Sequence, residues 1–293
     1  MTGTRSLIEL LQSKRLFVAM EVHSGLSARI ADKAGFDALW ASGLAISTLM
    51  GLRDCNEVSS TQILTIVEWI TDATSKPLLV DGDSGHGNFN NARLFARKLR
   101  DRGASGVCFE DKLFPKLNSF VGEHQPLAAK EEFAGRISAA KDATAGSNFC
   151  VIARTEALIS NRGMAEALDR AAAYQEAGAD AILIHSKQST PTEVIDFAER
   201  WGCKTPLLIV PTTYPDLNLD SIQKAGISGV IWANQNIRAT AQAMINVCAD
   251  LVRTKLPKTV ENQIVSITDL FTLLDYDELN IADNRYLPEI YQR

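Results

Sequence analysis

Glu176-Ala-Gly-Ala-Asp-Ala-Ile-Leu-Ile184 decides the fold of this chain. A charged helix end runs into glycine, then one residue, an acidic residue, a small residue and a short apolar run. Glycine after a helix supplies a left-handed cap, and a short apolar run reads as a parallel strand buried on both faces. The stretch is a helix-to-strand junction, and it recurs. Lys33-Ala-Gly-Phe-Asp-Ala-Leu-Trp40, Asp101-Arg-Gly-Ala-Ser-Gly-Val-Cys-Phe109 and Lys224-Ala-Gly-Ile-Ser-Gly-Val-Ile-Trp232 are further copies. The glycines at 35, 103, 178 and 226 are 68, 75 and 48 residues apart. Each gap suits about two strand–helix units of ordinary length.

Between the junctions lie four more apolar runs, at residues 16–22, 77–81, 149–155 and 207–210. Helical segments occupy 90–102, 164–177, 192–201 and 239–253. Eight alternating units predict an α/β fold, a (β/α)8 TIM-type barrel; a doubly wound open sheet is the structural alternative. Residues 1–293 read as a single barrel domain, with 260–293 as a C-terminal helical extension. In that extension Leu270, Phe271, Leu273 and Leu274 stand beside Asp275, Asp277 and Glu278, the composition of amphipathic helices.

The whole-chain balance narrows the function classes. Of 293 residues, 46% are apolar, and 30 Lys and Arg stand against 35 Asp and Glu, a formal charge of −5. Disorder needs fewer apolar residues and more net charge. A nucleic-acid partner calls for a basic excess that is absent. No apolar run approaches the roughly 18–20 residues of a membrane span. Arg5, Glu9, Lys14 and Arg15 interrupt any secretory h-region. The five cysteines (55, 108, 150, 203 and 248) are odd in number and form no Cys-x-x-Cys pair. The expectation is buried free thiols in a reducing cytoplasm.

In a barrel, function gathers at the C-terminal ends of the strands. The predicted ends are rich in polar groups: Glu21 and His23; Trp40-Ala-Ser-Gly-Leu44; Asp81-Gly-Asp-Ser-Gly-His-Gly-Asn88; Glu110-Asp-Lys112; Arg154 and Glu156; His185 and Ser186; Asn234. Asp81 and Asp83 have period-two spacing and share a side if the strand continues, and Glu110 ends the next strand. Three converging carboxylates repel unless a cation intervenes. A hard ion such as Mg²⁺, held by one or two carboxylates and otherwise through water, fits them; the structural alternative is capping and ion pairs to Lys112 or Arg154. Gly85-His-Gly87-Asn88 is neither a Rossmann nor a Walker loop; it suits a tight strand–helix turn or a close approach to a ligand. Arg154 and His185 suit a phosphate or carboxylate. Lys112-Leu-Phe-Pro-Lys-Leu-Asn-Ser-Phe-Val-Gly122 reads as a lid beside the site or as a packed surface loop.

Glu110-Asp-Lys-Leu-Phe-Pro-Lys-Leu-Asn-Ser119 resembles the E-D-K-x5-N-S signature of the phosphoenolpyruvate phosphomutase family, within the isocitrate lyase and phosphoenolpyruvate mutase superfamily. The likeness spans nearly the whole chain, through Trp40-Ala-Ser-Gly-Leu, Asp81-Gly-Asp-Ser-Gly-His-Gly-Asn-Phe-Asn-Asn, Ile152-Ala-Arg-Thr-Glu-Ala, Ile184-His-Ser-Lys and Tyr286-Leu-Pro. It implies interconversion of phosphoenolpyruvate and phosphonopyruvate, an intramolecular phosphoryl transfer from oxygen to carbon. It implies Mg²⁺ on Asp81 directly, with Asp83, Glu110 and Asp54 acting through water. The Ser42-Gly43-Leu44 backbone would hold the enolate beside the ion, Trp40 would wall the site, and Arg154, His185 and Asn118 would contact the phosphoryl group. Lys116, Asn118 and Ser119 would ride on a gating loop. The resemblance also implies a homotetramer, a dimer of dimers with the C-terminal helices of 260–293 swapped between barrels; packing of that extension on its own barrel is the alternative.

The chain departs from the family pattern at Ala41, at Gly82, Ser84 and His86 (where Ala, Thr and an aromatic are usual), at Leu117 and at Gln235. Phosphonopyruvate hydrolase is the nearest alternative; its loop generally carries Thr where this chain has Asn118. Isocitrate and methylisocitrate lyases are disfavoured because their Lys-Lys-Cys-Gly-His motif is missing. A catalytically silent barrel used for binding is the alternative of another class.

Overall fold

The computed structural model describes residues 6–121 and 126–291. Gly122 of the predicted loop, and Gln292 and Arg293 of the predicted extension, lie outside the described residues. Contacts divide the chain into two compact units, Met1–Ile237 and Arg238–Arg293.

The first unit is the barrel. Its eight parallel strands are β1 (Phe17–Val22), β2 (Ala38–Ala41), β3 (Leu78–Asp81), β4 (Gly106–Glu110), β5 (Cys150–Thr155), β6 (Ala181–Ile184), β7 (Leu207–Ile209) and β8 (Gly229–Trp232), closed in sequence order. The four glycine junctions lead into β2, β4, β6 and β8, and all four glycines have positive φ, between 82° and 98°. The four intervening runs are β1, β3, β5 and β7. The helices are α1 (Leu7–Gln12), α2 (Gly25–Ala34), α3 (Gly43–Leu49), α4 (Ser60–Ala73), α5 (Phe89–Asp101), α6 (Lys130–Ala143), α7 (Met164–Glu176), α8 (Thr192–Trp201) and α9 (Leu219–Lys224). Then α10 (Gln235–Thr254) follows β8 and runs from the first unit into the second.

Strand periodicity separates two cores. One side chain set faces the barrel lumen: Phe17, Ala19, Ala38, Trp40, Leu79, Cys108, Cys150, Ile152, Ala181, Leu183, Leu208 and Ile231, joined by Leu7, Leu10 and Leu11 of α1. The alternate set, including Val22, Leu39, Val80, Val107, Phe109, Val151 and Ile182, packs under the helices. That alternation aims the site. Counting two residues on from Leu79, Cys108, Ile152 and Leu183 reaches Asp81, Glu110, Arg154 and His185, on the lumen side at the strands' C-terminal ends.

The second unit holds the rest of α10 with α11 (Ile267–Leu273) and α12 (Tyr276–Tyr286). Ser266 caps α11 by accepting the Asp269 N–H at 3.0 Å, and Phe271 stacks on Tyr276 with centroids 4.6 Å apart. Many large apolar side chains here are exposed, among them Ile245, Val252, Ile267, Ile281 and Tyr286. Cys108 and Cys150 are buried free thiols as expected, whereas Cys203 and Cys248 are exposed; both sit outside the strands, where no core claims them. No helix among the described residues is long and apolar enough to cross a membrane.

Candidate active site

Four of the predicted site residues reach the mouth of the barrel as strand residues: Trp40 is the penultimate β2 residue, Asp81 ends β3, Glu110 ends β4, and Arg154 is the penultimate β5 residue, paired with Glu110 in register. Asp83 arrives differently from expectation. The strand stops at Asp81, and the chain turns through Gly82 into Asp83 with φ of +49°. The turn, not a continuing strand, returns the second carboxylate to the first; the Asp83 N–H donates to Asp81 Oδ1 at 3.3 Å. Glycine at 43 permits the next approach, since a β-carbon there would lie 3.1 Å from Asp83 Oδ1 and 3.2 Å from Asp81 Oδ2. The Gly43 N–H donates to Asp81 Oδ2 at 3.2 Å, while the Ser42 N–H bonds the Val22 carbonyl at 3.4 Å. Ser42 Oγ caps α3.

These residues surround a pocket of about 480 Å³ lined by Trp40, Ser42, Leu44, Asp54, Asp81, Glu110, Lys116, Asn118, Ser119, Arg154 and His185. Of the predicted residues only Gly43 and Asp83 do not line it, and both pack directly behind Asp81. Val210, Thr212 and Asn234 from the β7 and β8 ends complete the wall. The Gly85–Asn88 segment does not line it; Asn88 caps α5 instead, accepting the Asn90 N–H at 2.9 Å.

One wall is acidic. Burial, with repulsion from neighbouring carboxylates, outweighs the attraction of Lys116 and raises Asp81 to about 7 and Asp83 to about 6. Glu110 Oε1 is buried without a hydrogen-bond partner. The protein's own groups therefore leave this wall short of positive charge. Among the described residues no three His, Cys, Asp or Glu side chains form a ready-made metal shell. The raised Asp81 and Asp83 and the unpartnered Glu110 oxygen could serve a hard cation that takes one or two carboxylates and completes its shell with water or substrate oxygens. The predicted structural partner Lys112 is elsewhere, 3.2 Å from Glu156, and Arg154 Nε is 3.5 Å from Glu110 Oε2.

The opposite character comes from β5, β6 and the loop. Glu156, fully buried, is the hub: Arg154 Nε lies 2.5 Å, His185 Nδ1 2.9 Å, Ser119 Oγ 2.7 Å and Lys112 Nζ 3.2 Å from its carboxylate. Arg154, His185 and Lys112 hold its carboxyl well below the usual range despite burial. His185 is pushed down by burial and by Arg154. Its Nδ1 also lies 2.7 Å from an Arg154 nitrogen, and its Nε2 is buried with no partner. Phe120 covers the ring edge-on at 5.6 Å.

The loop lies against this pocket. Its stem is fastened by the Lys112–Leu127 bridge and by the Ala128 N–H on the Asp111 carbonyl at 2.8 Å. Lys116 is buried, its ammonium 2.7 Å from Asp83 and 2.9 Å from Asp54. Asn118 Nδ2 donates to Asp54 Oδ2 at 2.6 Å. Two participants escaped the sequence reading. Glu156 was visible only as one more polar strand end. Asn56, which touches both Asp83 and Lys116, lies in an irregular stretch where no periodicity singles it out.

The chain is similar to known proteins over nearly its whole length. The family model for phosphoenolpyruvate phosphomutase matches residues 7–252. A phosphoenolpyruvate phosphomutase of Streptomyces hygroscopicus is 52% identical over 268 residues, 91% of this chain and 86% of that protein. The crystal structure of a phosphoenolpyruvate phosphomutase from Streptomyces platensis subsp. rosaceus superposes with a TM-score of 0.94 at 38% identity, covering 98% of this chain and 100% of that one. A phosphonopyruvate hydrolase, in a crystal structure with oxalate and Mg²⁺, gives 0.91 at 39% identity with the same coverage.

Proposed function

The chain belongs to the phosphoenolpyruvate phosphomutase family, and on that premise we propose that it interconverts phosphoenolpyruvate and phosphonopyruvate. It is an isomerase of the intramolecular phosphotransferase type, making a P–C bond for phosphonate biosynthesis. The observation that carries the reading is one small pocket with an oxygen-rich wall and a cationic wall, spanned by a loop whose Lys116 and Asn118 are already docked.

The pyruvate end belongs against Trp40 and the start of α3, where Ser42, Gly43 and Leu44 surround Asp81. Mg²⁺ is the proposed cofactor: Asp81 would hold it directly, Asp83, Glu110 and Asp54 through water, and it would supply the positive charge that two apposed anions require. Arg154, Ser119 and Asn118 hold the phosphoryl oxygens. His185 Nδ1 faces both an Arg154 nitrogen and a Glu156 oxygen, so the ring is held from that side and its unpartnered Nε2 is the atom turned to the same group. Phosphoryl transfer passes through a loose, metaphosphate-like state, with oxygen leaving and the enolate carbon capturing phosphorus. No general base is needed. The residues orient both fragments, and Lys116, Asn118 and Phe120 keep water from intercepting the phosphoryl group.

The chain is read further as a cytoplasmic homotetramer, a dimer of dimers with exchanged C-terminal helices. The exposed apolar side chains of α10, α11 and α12 support assembly, and free cysteines suit a reducing compartment. Phosphorus NMR of the protein with Mg²⁺ and phosphonopyruvate tests the reaction. Phosphoenolpyruvate is the expected product. Pyruvate and phosphate without it would assign the hydrolase activity, and no turnover with Mg²⁺ bound would mark a binding protein.

A further inference from the structure

Asp83, Lys116 and Asn56 form a closed ring of polar contacts. One Asp83 oxygen, Oδ1, holds the Lys116 ammonium at 2.7 Å. The other, Oδ2, accepts from Asn56 Nδ2 at 2.8 Å. The ring closes where Asn56 Oδ1 accepts the backbone N–H of Lys116 at 2.7 Å. Both ends of the loop lysine, main chain and ammonium, are thereby tied to one carboxylate of the acidic wall. We infer that Asn56 is a positioning residue of the reaction: its amide latches the loop at Lys116 to the orientation of Asp83.

The chemistry of the position explains the residue. The bridge needs a donor toward a carboxylate and an acceptor toward an N–H from one short, planar group, which a primary amide supplies. Aspartate in its place has no donor and would set another negative charge against Asp83. The backbone at Asn56 has φ of +61°, a conformation that asparagine, aspartate and glycine tolerate and other residues resist. Turn geometry alone would thus be satisfied by any of the three; only the bridge demands asparagine. Lys116 has been stripped of water in this state, and a buried ammonium persists only while its partners stay in place. Fixing the orientation of Asp83 and the Lys116 backbone together makes loop closure and assembly of the acidic wall one event.

The effect on turnover rests on the phosphomutase reading; the effect on the loop does not. The test compares wild type with Asn56→Gly and Asn56→Asp, both compatible with the backbone. Hydrogen exchange of the peptide covering 113–121, without substrate, reads the latch. We expect exchange there to quicken about ten-fold or more in both variants, with the strand peptides unchanged as the folding control. Turnover of phosphonopyruvate with Mg²⁺ should fall on the order of ten- to a hundred-fold in kcat, with KM moving less. The fraction of turnovers ending as pyruvate and phosphate should rise, because a loose loop admits water. Loop exchange and kcat within about two-fold of wild type in either variant would overturn the latch. Failure of wild type to make phosphoenolpyruvate would instead overturn the reaction, leaving the exchange measurement to decide the latch.

Discussion

Asn118 on the loop and Asp54 on the β2–β3 connection meet at 2.6 Å, Nδ2 donating to Oδ2, while the other Asp54 oxygen holds the Lys116 ammonium at 2.9 Å. One carboxylate thus places Lys116 together with Asn118, a loop residue assigned to the phosphoryl group. Asn118→Ala removes a donor to that group, and Asp54→Ala releases the residue that aims it. Each should slow the mutase on the order of 100-fold while leaving the barrel folded. The pair is in direct contact, so the double variant should be little slower than the worse single one. A kinetic double-mutant cycle measures this, and additive losses would show that Asp54 and Asn118 act separately.

Gly82 is explained by its neighbours. A β-carbon there would lie 2.6 Å from Val107 Cγ2 and 2.7 Å from Phe109 Cε1, both inside any tolerable contact. Phe109 belongs to the core between strands and helices, so it has no free volume into which to retreat. The usual family alanine is therefore disfavoured here by packing, independently of the chemistry. Gly82→Ala should cost about 1–3 kcal/mol of stability through overpacking. Adding Phe109→Leu should recover part of the loss relative to the sum of the single changes. Denaturant unfolding of the four proteins decides it; an additive pair would remove the packing account.

The fold was legible because the helix–glycine–strand junction is a local device whose backbone requirement shows in the residue itself. Asp81, Glu110, Arg154 and His185 were legible for a related reason: each follows an apolar run at a strand end, so barrel geometry alone orders them. The period-two spacing of Asp81 and Asp83 marks the pair but not its geometry, since a turn with positive φ at Asp83, and no further strand, brings the second carboxylate back. Asn56 was illegible because its partners, Asp83 and Lys116, are 27 and 60 residues away and its own segment has no period. Glu156 was visible as a polar end but not as a hub, because its partners converge from three separate segments.

Burial and mutual repulsion set the pH behaviour of the acidic wall without metal. Asp81 and Asp83, raised from 3.8 to about 7 and about 6, take up protons more readily folded than unfolded. Their contribution to stability is full below the unfolded value and is lost as pH rises through 6 to 7. Mg²⁺ held there would compete with those protons, so its binding should strengthen over the same interval. Thermal unfolding with Mg²⁺ and with chelator should diverge as pH rises, the Mg²⁺-dependent gain being larger near pH 8 than near pH 5.5. Asp81→Asn should shrink that gain. A gain independent of pH, or unaffected by that substitution, would place the ion elsewhere.

The second unit makes the most direct prediction about assembly. Ile245 on α10 and Ile281 on α12 are 62% and 69% exposed, alongside Val252, Ile267 and Tyr286. A monomer leaving so many large apolar groups in water would forgo roughly 1.5–3 kcal/mol for each one that a partner buries. Ile245→Asp combined with Ile281→Asp should therefore lower the mass of the particle in light scattering. Circular dichroism of the barrel helices should stay unchanged, because neither residue belongs to the barrel unit or to its cores. A wild-type monomer, or an oligomer indifferent to both charges, would mean that these helices serve some other contact.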